Sequence, residues 1–187
     1  MQPNRILPHF TALLLLLLSV SCGYYNPNLL PAEQQGPPIT LHVPLWTGPS
    51  NEIRLTADIH NALQNWLIQA KRITLVADAG SADYVLSGKI LSVHSPGRSY
   101  DNRDHAQALK VILSVEYALT DTRSGKVIWQ TRNQSMEKTY TVGVGTAQTE
   151  ANRRNALEVI TNELAETIYI RMHRAIARHK KESGGSP

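Results

Sequence analysis

The residue types that most often carry catalysis are scattered along this chain rather than grouped. Seven histidines occur, and no two of them stand three or four residues apart, the spacing that places two metal ligands on one helical face. Gly143 and Gly145 follow a predicted strand, but the third glycine of a dinucleotide-binding fingerprint is missing. Asp101, Asp104 and His105 share one polar loop and supply too few oxygen ligands for a cation site. The sequence therefore predicts neither an enzyme nor a metal site.

Cys22 is the residue whose chemistry the sequence does predict. It is the only cysteine, so it cannot form an intrachain disulfide. It follows a short positive segment with Arg5, an apolar run and a small-residue exit, which together are typical of an export signal over residues 1–21. The apolar run is about half the length of ~20 residues that a transmembrane helix needs.

The residues around Cys22, LSVSCG, resemble the lipobox of bacterial lipoproteins. That resemblance implies a diacylglycerol on the Cys22 sulfur and a further acyl chain, such as palmitate, on the freed amine. More than one chain gives stable anchoring, because each buried CH₂ contributes roughly 0.8 kcal/mol. Gly23 after the cysteine implies the outer membrane as the destination. The alternative is a plain secretory signal with an incidental cysteine.

Length and charge narrow the function classes further. The chain has 187 residues and a formal net charge of +4, which fits one domain behind the signal. The basic residues are spread between Arg54 and Lys181, with no block of five like charges. Nucleic-acid binding therefore has little support. Phosphate-bearing lipid remains an option, since a few positioned cations suffice for phosphate.

The first part of the mature chain is predicted to form a tether followed by a β-α-β unit. Residues 22–38 contain four prolines and no hydrophobic period, which predicts an extended tether. Alternating apolar residues predict a strand over 39–46, and apolar residues at steps of three and four predict a helix from Leu55 to Ala70. A β-branched run predicts a strand over 73–77, so the unit is expected to be a right-handed parallel crossover.

The remainder predicts a three-stranded meander and a closing helix. Residues 94–104 are expected to form a loop or hairpin tip, and residues 121–125 a turn that places Gly125 at positive φ. Val127, Trp129 and Thr131 are expected on one face of the last strand. The predicted strands cover residues 83–93, 106–120 and 126–139; the helix starts at Thr146 or Thr149 and continues to residue 177, and residues 178–187 form a disordered tail.

These elements predict an α/β fold, a two-layer sandwich of order βαβββα, or of that order with one strand split. Each helix has one apolar stripe, and the predicted sheet has one apolar face. Two helices are therefore expected on one face of a mixed sheet of four to five strands, with the other face left open. The domain is predicted to cover residues 39–177.

Six short stretches spread over residues 22–177 carry further information. They are Cys22–Tyr25 (CGYY), Ile39–Pro44 (ITLHVP), Asp83–Ile90 (DYVLSGKI), Tyr117–Asp121 (YALTD), Gly125–Trp129 (GKVIW), and Ala156 with Leu157 in the closing helix. In combination they resemble the lipopolysaccharide (LPS) assembly lipoproteins of the LptE family, especially their branch outside the enteric bacteria.

That resemblance implies a lipoprotein that is not an enzyme. It would plug the lumen of the β-barrel LPS translocon subunit (LptD type), bind LPS and assist its assembly into the outer leaflet. Its location would be the outer membrane, facing the periplasm or inside the barrel lumen. No cofactor is implied beyond the lipid on Cys22, and no metal or nucleic acid. Basic residues near the sheet would contact LPS, and the candidates here are Arg98, Arg103 and Lys138.

Two other functions stay open at this point. The strand from Ile39, the helix from Leu55 and the strand from Ile73 are also similar to the opening unit of envelope adaptor lipoproteins. Such an adaptor would regulate a cell-wall synthase or a secretion channel. A lipid or cell-wall hydrolase comes third, because the sequence shows no catalytic triad.

Overall fold

A computed structural model describes residues 38–49, 53–70, 72–100 and 106–184. The predicted signal peptide, Cys22, the tether up to residue 37, and Arg103 lie outside the described residues. The elements are β1 (Ile39–His42), α1 (Ile53–Ile68), β2 (Ile73–Leu75), a 3₁₀ turn (Ala79–Ser81), β3 (Tyr84–His94), β4 (Gly97–Tyr100), β5 (Ala106–Asp121), β6 (Val127–Thr141) and α2 (Thr146–Gly184).

The strands form one mixed sheet, as the sequence predicted. Its order is β2, β1, β3, β5 and β6. The short β4 and the longer β3 pair with the same edge of β5: β4 pairs with the first residues of β5, and β3 pairs with the later ones. Because β3 and β4 share one position, the sheet is five strands wide. β1 is parallel to both β2 and β3, and β5 is antiparallel to β3, β4 and β6. The predicted parallel pair formed by β1 and β2 is confirmed.

Both helices bury one apolar stripe against the same face of the sheet, which confirms the two-layer sandwich. α1 buries Leu55, Ile59, Leu63 and Leu67, at helical steps of four. Each fully buried side chain of this size contributes roughly 1.5–3 kcal/mol, so packing holds the helices in place. The stripe of α2 that joins the same core consists of Ala156, Leu157, Ile160, Leu164, Ala165, Ile168, Met172 and Ile176.

The turn between β5 and β6 has the conformation that the sequence predicted. Gly125 has φ of +68°, a left-handed conformation that residues with a Cβ rarely adopt. Its N–H donates to the carbonyl oxygen of Asp121 at 2.8 Å. The predicted hairpin of β5 and β6 is therefore confirmed, and it pairs Ala108 with Thr141 near its open end.

Two bulges in β6 change which of its residues face the helices. Gln134 pairs with Val115, but Thr131 pairs with Tyr117, so β6 has one more residue than β5 in this interval. A second shift lies between Val127 and Trp129, because Trp129 pairs with Leu119 but Val127 pairs with Thr120. Since each extra residue resets the alternation of faces, Val127 does not share the face of Trp129 and Thr131. That prediction was wrong for Val127.

Two element ends also differ from the predictions. β1 ends at His42 rather than at residue 46, and Pro44, which has no N–H to donate to a sheet, lies just beyond it. α2 continues to Gly184, so the prediction of a disordered tail was wrong for residues 178–184. In this last part of α2, His179 forms a hydrogen bond with Asp121 at the end of β5. No local sequence pattern predicts such a long-range contact.

Candidate anion-binding face

The sheet face opposite the helices is mostly polar along β3, β5 and β6, with the apolar side chains of Val85, Ile112, Ala118 and Val127 among the polar ones. Val111, Leu113, Val115, Tyr117 and Leu119 of β5 are buried under the helices, and the residues that alternate with them point to the other side. We call this other side the open face. Its side chains include Ser87, Lys89, Ser114, Glu116, Gln130, Ser135, Glu137 and Thr139.

A shallow hollow in the open face brings two cations and one carboxylate together. Lys89 of β3 pairs directly with Glu116 of β5. On the other side, Glu116 lies across from the β6 bulge that contains Arg132. Lys89, Glu116 and Arg132 line a hollow of about 270 Å³, together with Ser87 and Gln130.

The bulge explains why Arg132 reaches this hollow. In the described part of β6, Arg132 and Asn133 together stand opposite the single residue Glu116. An extra residue of this kind turns the local side chains and increases the strand twist. Arg132 therefore lines the same hollow as Lys89, although the two belong to strands separated by β5.

The hollow offers two cationic hydrogen-bond donors, Lys89 and Arg132. Within the described residues, neither Lys89 nor Arg132 forms an ion pair. Lysine offers a point charge and arginine a planar fork of donors, and both suit phosphate oxygens. The described residues contain no group of three or more metal-binding side chains, and the hollow has no nucleophile paired with a base.

A third cation on the open face, Lys110, is already neutralised. The ammonium of Lys110 contacts the carboxylate of Glu137 on β6 at 2.5 Å, and only 8% of the Lys110 side chain is exposed. A buried ion of this kind is retained only with a partner, because removing an isolated charge from water is costly. Lys110 is therefore committed to Glu137, whereas Lys89 and Arg132 have no ion-pair partner in the part of the chain that the structure describes.

The carboxylates at the strand ends are held by internal hydrogen bonds. Asp121 accepts hydrogen bonds from His179 at 3.0 Å and from Ser124 at 2.9 Å. Burial raises the pKa of Asp121, but these bonds and the backbone N–H of Arg123 lower it more, so the net pKa is below its ordinary value. Burial also raises the pKa of Tyr84. The ring of Tyr84 packs edge-on against the ring of His179, with the two ring centroids 6.5 Å apart.

The sequence of the sandwich matches one family model over most of its length. The model is that of LptE, described as lipopolysaccharide-assembly, and it matches residues 40–172. The chain belongs to the LptE family. Among proteins of curated function, no sequence matches it significantly.

Solved structures share the LptE-like fold of this chain at low sequence identity. Lipoprotein B from Nitrosomonas europaea is 11% identical, with a TM-score of 0.57 over 82% of this chain and 94% of that one. A candidate lipoprotein from Caulobacter crescentus CB15 is 15% identical, with a TM-score of 0.53 over 73% and 90% of the two chains. At these identities the likeness establishes the fold alone.

The residues predicted to bind LPS are not gathered in the hollow by the described structure. Lys138 faces α2, where its ammonium donates to the carboxylate of Glu163 at 3.2 Å. Arg98 belongs to β4, and Arg103 lies outside the described residues. Their roles stay predictions. The sequence did not predict that Lys89 and Arg132 line one hollow, because this depends on a bulge that only the strand register reveals.

None of the helices in the described part of this LptE-family chain combines the length and the apolarity that a membrane crossing requires. α2 has 39 residues, but only one stripe of it is apolar. The other faces carry charged residues such as Arg154, Glu158 and Arg174, all of them exposed.

Proposed function

We propose that this protein is an outer-membrane lipoprotein that plugs the lumen of the β-barrel LPS translocon and assists the assembly of LPS into the outer leaflet. The match of residues 40–172 to the LptE family carries the proposal. The anchor would be a lipid on Cys22, with more than one acyl chain for stable attachment.

The character of the sandwich supports a position inside a barrel. The interior of an outer-membrane barrel is polar and hydrated, and the open face presents serine, threonine and charged side chains to its surroundings. A plug of this kind would work by binding and positioning rather than by catalysis.

Contact with LPS is assigned to the hollow of Lys89 and Arg132. LPS carries phosphate groups, and two unpaired cations in one hollow suit an anion of that size. Glu116 between them limits the net charge, so the site would select a ligand that also offers donors. Arg98, Arg103 and Lys138 remain further candidates for LPS contact.

The decisive experiment purifies the full-length chain from its own cells with a carboxyl-terminal tag, in mild detergent. We expect a large β-barrel protein and LPS to copurify, and mass analysis to find acyl chains on Cys22. The Cys22→Ser variant is the control for the lipid anchor. The double variant Lys89→Ala with Arg132→Ala is the control for LPS binding. Capture of a cell-wall synthase in place of a barrel would support an adaptor and overturn the proposal.

A further inference from the structure

A polar groove runs between α1 and the first half of α2, on the side of the domain opposite the open face. Its volume is about 700 Å³. The α1 wall includes residues 54 to 65, which at 1.5 Å per residue extend over roughly 16 Å. Its floor contains Leu55, Ala62 and Leu157, each no more than 7% exposed.

The groove walls carry amide side chains that the domain itself does not use. Asn61 and Asn65 line it from α1, and Asn155 and Asn162 from α2. Within the described residues, none of these four side-chain amides makes a hydrogen bond. Each amide offers two donors and one acceptor oxygen, and all four are exposed, so both walls of the groove present donors as well as acceptors.

The charges of the groove are balanced rather than of one sign. The α1 wall carries Arg54 and Asp58, and the α2 wall carries Arg154 and Glu158. None of these four forms an ion pair within the described residues. A polyanion would meet three carboxylates, those of Asp58, Glu158 and Glu150, as well as the guanidinium groups, so the groove does not have the character of a nucleic-acid or polyphosphate site.

A helix or strand of a protein partner also fits poorly. A peptide helix binds a groove through apolar anchors, but Leu55 and Leu157 are already buried against the core. What the walls offer instead is a dense set of mixed donors and acceptors. Sugar hydroxyls both donate and accept hydrogen bonds, so they match such a set at every position along a chain of rings.

We propose that the groove binds saccharide, namely the sugar chain of the same glycolipid whose phosphates we assign to the hollow. The inference rests on the proposed function. The groove and the hollow lie on opposite faces of the domain and share no lining residue, so substitutions can test the two sites separately. The asparagine amides are the specificity-determining groups of the groove.

The test uses the full-length protein and saccharide released from LPS by mild acid, with the lipid removed. Binding is measured by calorimetry for wild type, for Asn61→Ala combined with Asn155→Ala, and for Lys89→Ala combined with Arg132→Ala. We expect the groove variant to bind the saccharide roughly tenfold more weakly, as expected if it loses about 1.4 kcal/mol of binding free energy, and the open-face variant to bind it as wild type does. Circular dichroism and thermal unfolding confirm that both variants fold.

Three outcomes overturn the inference. The inference is wrong if the wild-type protein fails to bind the saccharide, or if the groove variant binds it as tightly as wild type does. It is also wrong if soluble peptidoglycan fragments bind in place of the saccharide. Capture of the β-barrel distinguishes these results from failure of the proposed function. If wild type still captures the barrel and intact LPS while the saccharide fails to bind, the inference alone is lost.

Discussion

Thr40 and Asp83 join the start of β3 to β1 through reciprocal hydrogen bonds. The Oδ2 atom of Asp83 accepts hydrogen bonds from the backbone N–H and from the hydroxyl of Thr40, at 2.9 and 3.0 Å. The backbone N–H of Asp83 donates in turn to Oγ1 of Thr40 at 2.8 Å. These bonds fix where β3 begins relative to β1, which is parallel to it.

Replacing Thr40 by Val removes the hydroxyl and keeps the shape of the side chain. We expect the free energy of unfolding to fall by about 1–2 kcal/mol, because Asp83 loses one donor and its N–H loses one acceptor. Urea unfolding measures the change, and Thr40→Ser, which keeps the hydroxyl, is the control. If the Val and Ser variants are equally stable, the hydroxyl does not hold the strand junction.

The same bonds make stability depend on acid. The backbone N–H of Thr40 is the main cause that holds the pKa of Asp83 below its ordinary value, with help from the Thr40 hydroxyl and Arg123 and against the effect of burial. A carboxylate with a lowered folded-state pKa adds stability above its unfolded pKa of about 4, and that stability is lost as the pH falls through the folded value. The Val variant is therefore expected to lose less stability below pH 4 than wild type does.

His179 is predicted to hold the end of α2. Its Nε2 atom lies 3.0 Å from Oδ2 of Asp121, and each side chain is only 16% exposed. In His179→Ala we expect amide hydrogen exchange to accelerate over the last turns of α2, and the pKa of Asp121 to rise because a hydrogen-bond donor is lost. The global loss of stability is expected to be about 1 kcal/mol.

Arg178→Ala is the matched control for that experiment, since Arg178 is the exposed neighbour of His179. Its exchange rates should stay near those of wild type. Equal protection of the helix end in His179→Ala and in wild type would show that the contact with Asp121 does not anchor α2.

The faces of β1, of β5 and of β3 up to Ile90 follow from the sequence, but those of β6 do not. Alternation alone places Leu113 and Val115 in the core, because β5 keeps its two-residue period from Val111 to Leu119. In β6 a bulge depends on how β5 is paired, so local pattern cannot reveal that Lys138 turns towards α2 and Arg132 towards the hollow. The candidate site is therefore less predictable than the fold, since it lies at that bulge.

His173 should make the protein less stable in mild acid. Its Nε2 atom is buried and has no hydrogen-bond partner among the described residues. Its ring packs against that of Tyr169, with the ring centroids 4.6 Å apart. Burial, together with the positive charge of Arg72, lowers the pKa of His173. Because the unfolded chain then takes up a proton more readily than the folded protein, stability falls as the pH drops below about 6.5, by at most about 1.4 kcal/mol per pH unit.

His173→Phe keeps a ring against Tyr169 and removes the titrating group. We expect its stability to change less than that of wild type between pH 7 and pH 5, as measured by urea unfolding at each pH. His94→Ala, at an exposed position at the end of β3, controls for the loss of a histidine in general. A pH dependence in His173→Phe as steep as in wild type would contradict the assignment.

Gly88 leaves room for the indole ring of Trp46. A Cβ atom on Gly88 would lie 2.3 Å from Cε2 of that ring and 2.5 Å from Cδ2, far inside van der Waals contact. Trp46 is only 3% exposed and stacks on Tyr117 with ring centroids 6.0 Å apart, so it has little space into which to move. We expect Gly88→Ala to lower the free energy of unfolding by about 1–3 kcal/mol through overpacking.

Two further variants separate this clash from a general effect of replacing glycine. Gly145→Ala introduces a Cβ with no atom within 4 Å and should stay within about 0.5 kcal/mol of wild type. Trp46→Leu removes the ring, so Gly88→Ala should cost much less in that background, and a double-mutant cycle measures the coupling between the two positions. Additive effects of the two substitutions would mean that Gly88 is not required by contact with Trp46.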